Sequence, residues 1–197
     1  MSVLDCEDGF TLVECLAVIL LMGILLGPLV GSFVSVMSAQ ARQGNVVMAQ
    51  ENARLALERM RKDIHCAHSV GVPASNSSGG TTLVLNETNT SGTAECPGLL
   101  AQNSSSVQWC TVPVTGFSNR YQLFREDDPD TSCNGSQSTF EVDYLSQPSI
   151  WSTPACTGGQ YPTVSVNFAL DVATLSTTEG SYNLDDQIAL RNATPCP

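Results

Sequence analysis

Gly9-Phe10-Thr11-Leu12-Val13-Glu14 opens the most apolar stretch of a 197-residue chain, and the glutamate inside that stretch decides how the chain is read. Within 10–37, 20 of 28 residues are Ala, Val, Ile, Leu, Met, Phe or Cys. About 20 predominantly apolar residues suffice to span hydrocarbon as a helix. A carboxylate in such surroundings is costly and is normally kept only where it does a job.

The rest of the chain is a different material, poorer in apolar residues and strongly acidic. After Cys66 there are 12 Asp and Glu against three Arg and no Lys. A surface of that sign repels phosphate backbones, so direct nucleic-acid binding by this head is not expected. Cys6 precedes the apolar run and Cys15 lies within it, which leaves Cys66, Cys96, Cys110, Cys133, Cys156 and Cys196 for the head. Six is even, and the spacings fit neither CxxC nor a zinc-ligand pattern. These six read as disulfide candidates, up to three bridges formed in an oxidising space outside the cytoplasmic membrane, with the pairing open.

The apolar run meets no stop signal at its far end and passes into a polar stretch rich in helix formers, so one long helix is implied. Val46, Ala49, Ala53, Leu57, Met60, Ile64 and Ala67 recur at steps of three and four, painting an apolar stripe that something must cover. Gly71 and Pro73 then end the helix. Pro28 removes a backbone donor, so bending or melting is expected near Gly27-Pro28. From Pro73 onward, short β-type runs alternate with Ser, Gly, Asn, Thr and Pro clusters. Strands are expected at 82–85, 107–112, 121–125, 139–145, 163–170 and 187–190, and loops at 74–80, 86–102 and 126–138. An antiparallel sheet laid on the striped helix face gives an α+β fold: a long N-terminal helix, half membrane-going and half amphipathic, packed on a β-sheet head.

The hexapeptide at 9–14 followed by an apolar helix resembles the cleavage and methylation signature of type IV prepilins and type II secretion pseudopilins. The resemblance implies that a membrane-bound prepilin peptidase cuts between Gly9 and Phe10 and methylates the new amino terminus at Phe10. It divides the chain into a leader at 1–9, a transmembrane or filament-core helix at 10–37, an amphipathic continuation at 38–70 and a disulfide-bearing head at 71–197. Glu14 would then set assembly register by meeting the freed ammonium of Phe10 on a neighbouring subunit. The segment 51–64 is similar to the helix of the minor-pilin branch containing pseudopilin J and the W-type pilus minor pilins. So is the tail, with Tyr121-Gln122-Leu123-Phe124-Arg125 and Ile188-Ala189-Leu190-Arg191-Asn192. The implied partners are other pilins or pseudopilins, the prepilin peptidase and the cytoplasmic membrane, with a single pass and the head outside. The leader departs from the family pattern, because Asp5, Glu7 and Asp8 stand where Lys or Arg is usual. Counting basic residues alone predicts the opposite orientation. The cysteine-bearing head requires the outward one.

Other chemistry reads weakly. Residues 130–141 have the ligand spacing of a twelve-residue calcium loop, ending at Glu141, but with few carboxylates, an internal cysteine and flanking strands. A plain acidic hairpin is the expectation. His65 and His68 stand three apart near the helix end and read as solvated ring donors rather than metal ligands. Nothing pairs a nucleophile with a base. No catalytic residue, metal or cofactor is expected. The function expected is that of a minor pilin or pseudopilin built into a filament or its initiation complex. The alternative is an uncleaved, membrane-anchored extracytoplasmic binding protein whose acidic head holds a cation.

Overall fold

A 55-residue helix, α1 (Leu12–Cys66), leads into eight strands: β1 (Ser69–Val70), β2 (Ala74–Ser75), β3 (Thr81–Asn86), β4 (Ser106–Pro113), β5 (Tyr121–Asp127), β6 (Thr139–Leu145), β7 (Thr163–Asp171) and β8 (Ser181–Ala189). This computed structural model describes residues 11–88, 106–127, 133, 138–172 and 181–197. The chain divides into two units, Met1–Gly44 and Asn45–Pro197.

In the first unit every described side chain is exposed, Leu12, Leu16, Ile19, Ile24, Leu29 and Phe33 among them. A helix apolar on all sides cannot face water in that state; it belongs in hydrocarbon or against other helices. It is long and apolar enough to cross a membrane. The melting expected at Gly27-Pro28 is not found, since α1 runs unbroken through Pro28. A proline removes one hydrogen bond, and the turns on either side continue the ladder.

In the second unit the stripe is buried as the periodicity requires. Ala53, Met60, Ile64 and Ala67 are fully covered, Ala49 and Leu57 nearly so, and Val46 half-buried. The strands form an antiparallel sheet in the order β1-β3-β4-β5-β6-β7-β8, with β2 pairing β3. Its inner face and the helix stripe share one core that includes Leu83, Leu85, Trp109, Leu123, Val142, Phe168 and Ile188. Along β7, Val164, Val166, Phe168 and Leu170 are all buried and alternate with half-buried Ser165, Asn167 and Ala169. That is the period-2 pattern of a strand with one face on the core. The result is an α+β, pilin-like architecture.

Three strand expectations need correction. The last strand spans nine residues, 181–189, where only 187–190 was expected. Its outward positions Ser181, Asn183, Asp185 and Gln187 are polar, and these made a strand look like a loop. The short β2 lies inside a stretch expected to be loop, and β1 inside the stretch 38–70 expected to be helix, which ends at Cys66. Cys110 is bonded to Cys133 and Cys156 to Cys196, closing spans of 23 and 40 residues. In the loop-entropy account, each closure stabilises the fold by about 3 to 4 kcal/mol. Cys66 is also disulfide-bonded. Cys96 lies outside the described residues, and Cys15 is a free, exposed thiol.

Candidate functional site

The start of α1 is built by the residues that follow Phe10. Thr11 directly precedes the helix, and Glu14 is the third residue within it. The Thr11 N–H and hydroxyl both donate to Glu14 Oε2 at 3.0 Å, and the Glu14 N–H reaches back to Thr11 Oγ1 at 3.4 Å. This is a capping box, Thr-x-x-Glu, in which two otherwise unsatisfied donors of the first turn find partners. Both bonds to the carboxylate fall on one oxygen, and the side chain stays exposed. The sequence signal for this local partner is Thr followed three residues later by Glu before an apolar run, and it is separate from the intermolecular partner expected for Glu14. Gly9 and Phe10 lie outside the described residues.

In the head, the polar chemistry gathers where α1 crosses β4 and β5. Asp63, 1% exposed, accepts from the Trp109 indole Nε1 at 2.9 Å and from Arg125 Nε at 2.9 Å. Arg125 also donates to Asp127 at 2.6 Å. Burial works against the Arg125 charge, but the bonds to Asp63 and the charges of Asp63 and Asp127 outweigh it and raise its pKa. Beside this group Arg59 holds Glu141 with bonds of 2.6 and 2.8 Å. Arg59, Lys62, Asp63, Arg125, Thr139 and Glu141 line a cleft of about 280 Å³. On another edge Arg120 grips Asp143 at 2.5 Å and lies 4.0 Å from the centre of the Tyr144 ring. Burial would raise the Asp143 pKa; the Arg120 guanidinium and the Tyr144 N–H overcome it and hold the carboxyl below its usual value.

The Asp63 and Arg59 contacts anchor helix to sheet, and the Arg120 contacts tie the start of β5 to β6. Among the described residues no group of three His, Cys, Asp or Glu side chains is arranged to hold a metal ion. Glu141, the last position of the calcium-loop spacing, sits in β6 and is engaged by Arg59, while 130–132 and 134–137 lie outside the described residues. His65 and His68 are not merely solvated. Their Nδ1 atoms lie 2.8 Å from the Ala189 carbonyl oxygen and 3.1 Å from that of Asn192, tying the helix end to the closing segment of the chain.

Glu87 has a measurable consequence. It is fully buried at the end of β3, with neither carboxylate oxygen hydrogen-bonded among the described residues. Burial, then the charge of Asp63, push its pKa up from 4.5 to about 7, Arg125 opposing. The folded head therefore binds a proton that the unfolded chain releases. Stability should fall as pH rises from about 4.5 to about 7, by an amount on the order of 3 kcal/mol. Thermal melts of the full chain across that window should show the slope, and Glu87→Gln should flatten it. An identical slope in the variant would assign the effect elsewhere.

Residues 5–30 match the family model described as the prokaryotic N-terminal methylation motif. No curated protein and no solved structure matches the chain. The chain thus carries a type IV prepilin-like signal, and with it the mark of a pilin-like protein processed by prepilin peptidase. The signal covers the segment that contains Gly9, Phe10 and the capping box.

Proposed function

We propose that the chain is a minor pilin or pseudopilin, a non-catalytic subunit built into a type IV pilus, a type II secretion-like filament or the complex that initiates one. The observation that carries this is the methylation motif at 5–30 running into an all-round apolar, fully exposed helix whose first turn presents Glu14. In this reading the peptidase removes 1–9 and methylates Phe10, and the helix waits in the cytoplasmic membrane with the head outside. The six head cysteines fit an oxidising space, and three disulfides formed there would lock the head before assembly.

Glu14 supplies what apolar packing lacks. Greasy helix surfaces slide past one another with little change in energy, whereas two opposite charges define a register. At 4 Å their attraction is about four times stronger at an effective dielectric of 20 than in water. The ammonium created on Phe10 by the cut is the natural partner for that carboxylate on the adjoining subunit. Cleavage and assembly are then coupled, because the uncut precursor has no charge at that point.

The test is Gly9→Val in a cell that assembles the filament. The expected result is accumulation of precursor still bearing 1–9, inserted in the membrane but absent from filaments. Normal cutting and incorporation of that variant would remove the proposal. The acidic leader, Asp5, Glu7 and Asp8, favours the second reading of an uncleaved, membrane-anchored binding protein. A retained leader in the unmodified chain would select it.

A further inference from the structure

The two edges of the sheet are treated differently. One ends in β1, two residues long, which offers almost nothing to pair with. The other, among the described residues, ends in β8, nine residues in unbroken register with β7 from Thr163 opposite Ala189 to Asp171 opposite Ser181. Proteins blunt a long edge with proline, charge, a bulge or a short strand, and the device on β8 is negative charge, at Asp185 and Asp186. The segment Ser181-Tyr182-Asn183-Leu184-Asp185-Asp186-Gln187-Ile188-Ala189 has neither proline nor lysine, and its pairing with β7 shows no register shift. Beside it, between β8 and α1, runs a cleft of about 440 Å³ lined by Leu55, Leu57 and Leu184 together with Glu51, Arg54, Glu58 and Arg61. Leu55 is half exposed, an apolar side chain on the helix with room beside it.

We infer that β8 is a docking edge that takes an extended strand from a different protein, with Lys or Arg on one face of that strand and apolar residues on the other. Charge selects the occupant. A second copy pairing antiparallel about the middle of β8 would set Asp185 against Asp185, and like charges directly opposite are destabilising. Asp186 is already held by Arg61, at 3.0 and 2.7 Å. Asp185 is exposed, accepts from the Asn167 amide, and has no ion-pair partner among the described residues. A basic strand would set its cations against Asp185, and the acidic surface steers such a segment in. Its alternate side chains would fall on the Leu55–Leu184 side, where the core layer stops short. Main-chain hydrogen bonds supply affinity in this mode of recognition, and the alternate side chains supply specificity.

The inference does not depend on leader cleavage, and its test leaves the amino terminus untouched. The full chain is placed in nanodiscs of zwitterionic lipid and mixed with an eight-residue probe peptide alternating Lys and Val. Controls are the same peptide with alternate amides N-methylated and a Glu/Val version. Binding is read by fluorescence anisotropy, and backbone protection by amide hydrogen exchange across 181–189. The expected result is at least tenfold slower exchange in β8 with the Lys/Val peptide and at least tenfold weaker binding of the methylated one. Asp185→Lys, at an exposed position, should reverse the preference between the Lys/Val and Glu/Val peptides. Equal binding of the methylated peptide, no added protection in 181–189, or protection that rises with the chain's own concentration in the absence of peptide would each overturn it.

Discussion

Glu14→Gln is expected to leave cleavage between Gly9 and Phe10 intact and to reduce incorporation into filaments at least tenfold. The choice of Gln separates the two roles that the structure and the proposed function give this residue. As a helix cap Glu14 accepts from the Thr11 N–H and hydroxyl, both at 3.0 Å, and a Gln side-chain oxygen can accept the same bonds. As a charge it would answer the ammonium on Phe10, and Gln has none to offer. Glu14→Ala removes both roles. If Gln assembles normally and only Ala fails, the cap is what the filament needs and the register role is wrong. If both fail while both are cut, the charge is what matters. Quantifying cut and uncut chain in membrane and sheared-filament fractions distinguishes these outcomes.

The second large effect is expected in the head. Arg125→Leu should lower its stability by about 3 to 5 kcal/mol, because among the described residues it leaves the Asp63 side chain, 1% exposed, with the Trp109 indole N–H as its one remaining side-chain partner. For a head of this size the melting temperature should drop by roughly 10 °C or more. The double variant Asp63→Leu with Arg125→Leu should recover part of that loss, since buried ion pairs often exchange for apolar groups at little cost, while the buried Trp109 indole N–H loses its acceptor. Arg61→Ala is the control: its pair with Asp186 is partly exposed, and loss of such a pair costs about 0 to 1 kcal/mol. A loss for Arg125→Leu no larger than for Arg61→Ala would show that the Asp63 cluster does not hold the helix to the sheet.

The parts of the fold governed by periodicity were legible in the residues. Steps of three and four from Val46 to Ala67 placed the buried face of α1, and the alternation from Val164 to Leu170 placed β7 on the core. What pattern cannot show is a polar residue that belongs on an apolar face. Asp63 lies on the same side of the helix as Met60 and Ile64, yet it reads as an ordinary solvated acid until Arg125, 62 residues on, and Trp109, 46 residues on, are seen to meet it. The same blindness hid the first six residues of β8, where Tyr182 and Leu184 stand between Asn and Asp, and left only 187–190 legible as strand. Glu87 gave no local hint either, because its burial depends on strands brought together only by the fold.

The amino terminus was legible in a different way. The short run from Gly9 to Glu14 spoke through its chemistry, a carboxylate set in an apolar helix, and the methylation motif now found over 5–30 agrees with it. The local hydrogen bonds add a constraint that the pattern alone did not supply: the carboxylate proposed to set register already helps to start the helix. Both jobs use the same side chain, and the first turn presents it outward.

The most direct test is intact-mass and N-terminal peptide mass spectrometry of the chain recovered from the membrane of a cell that assembles the filament. The mature polypeptide should begin with N-methylated Phe10. A polypeptide that still carries residues 1–9, or that begins with an unmethylated residue elsewhere, would contradict the account.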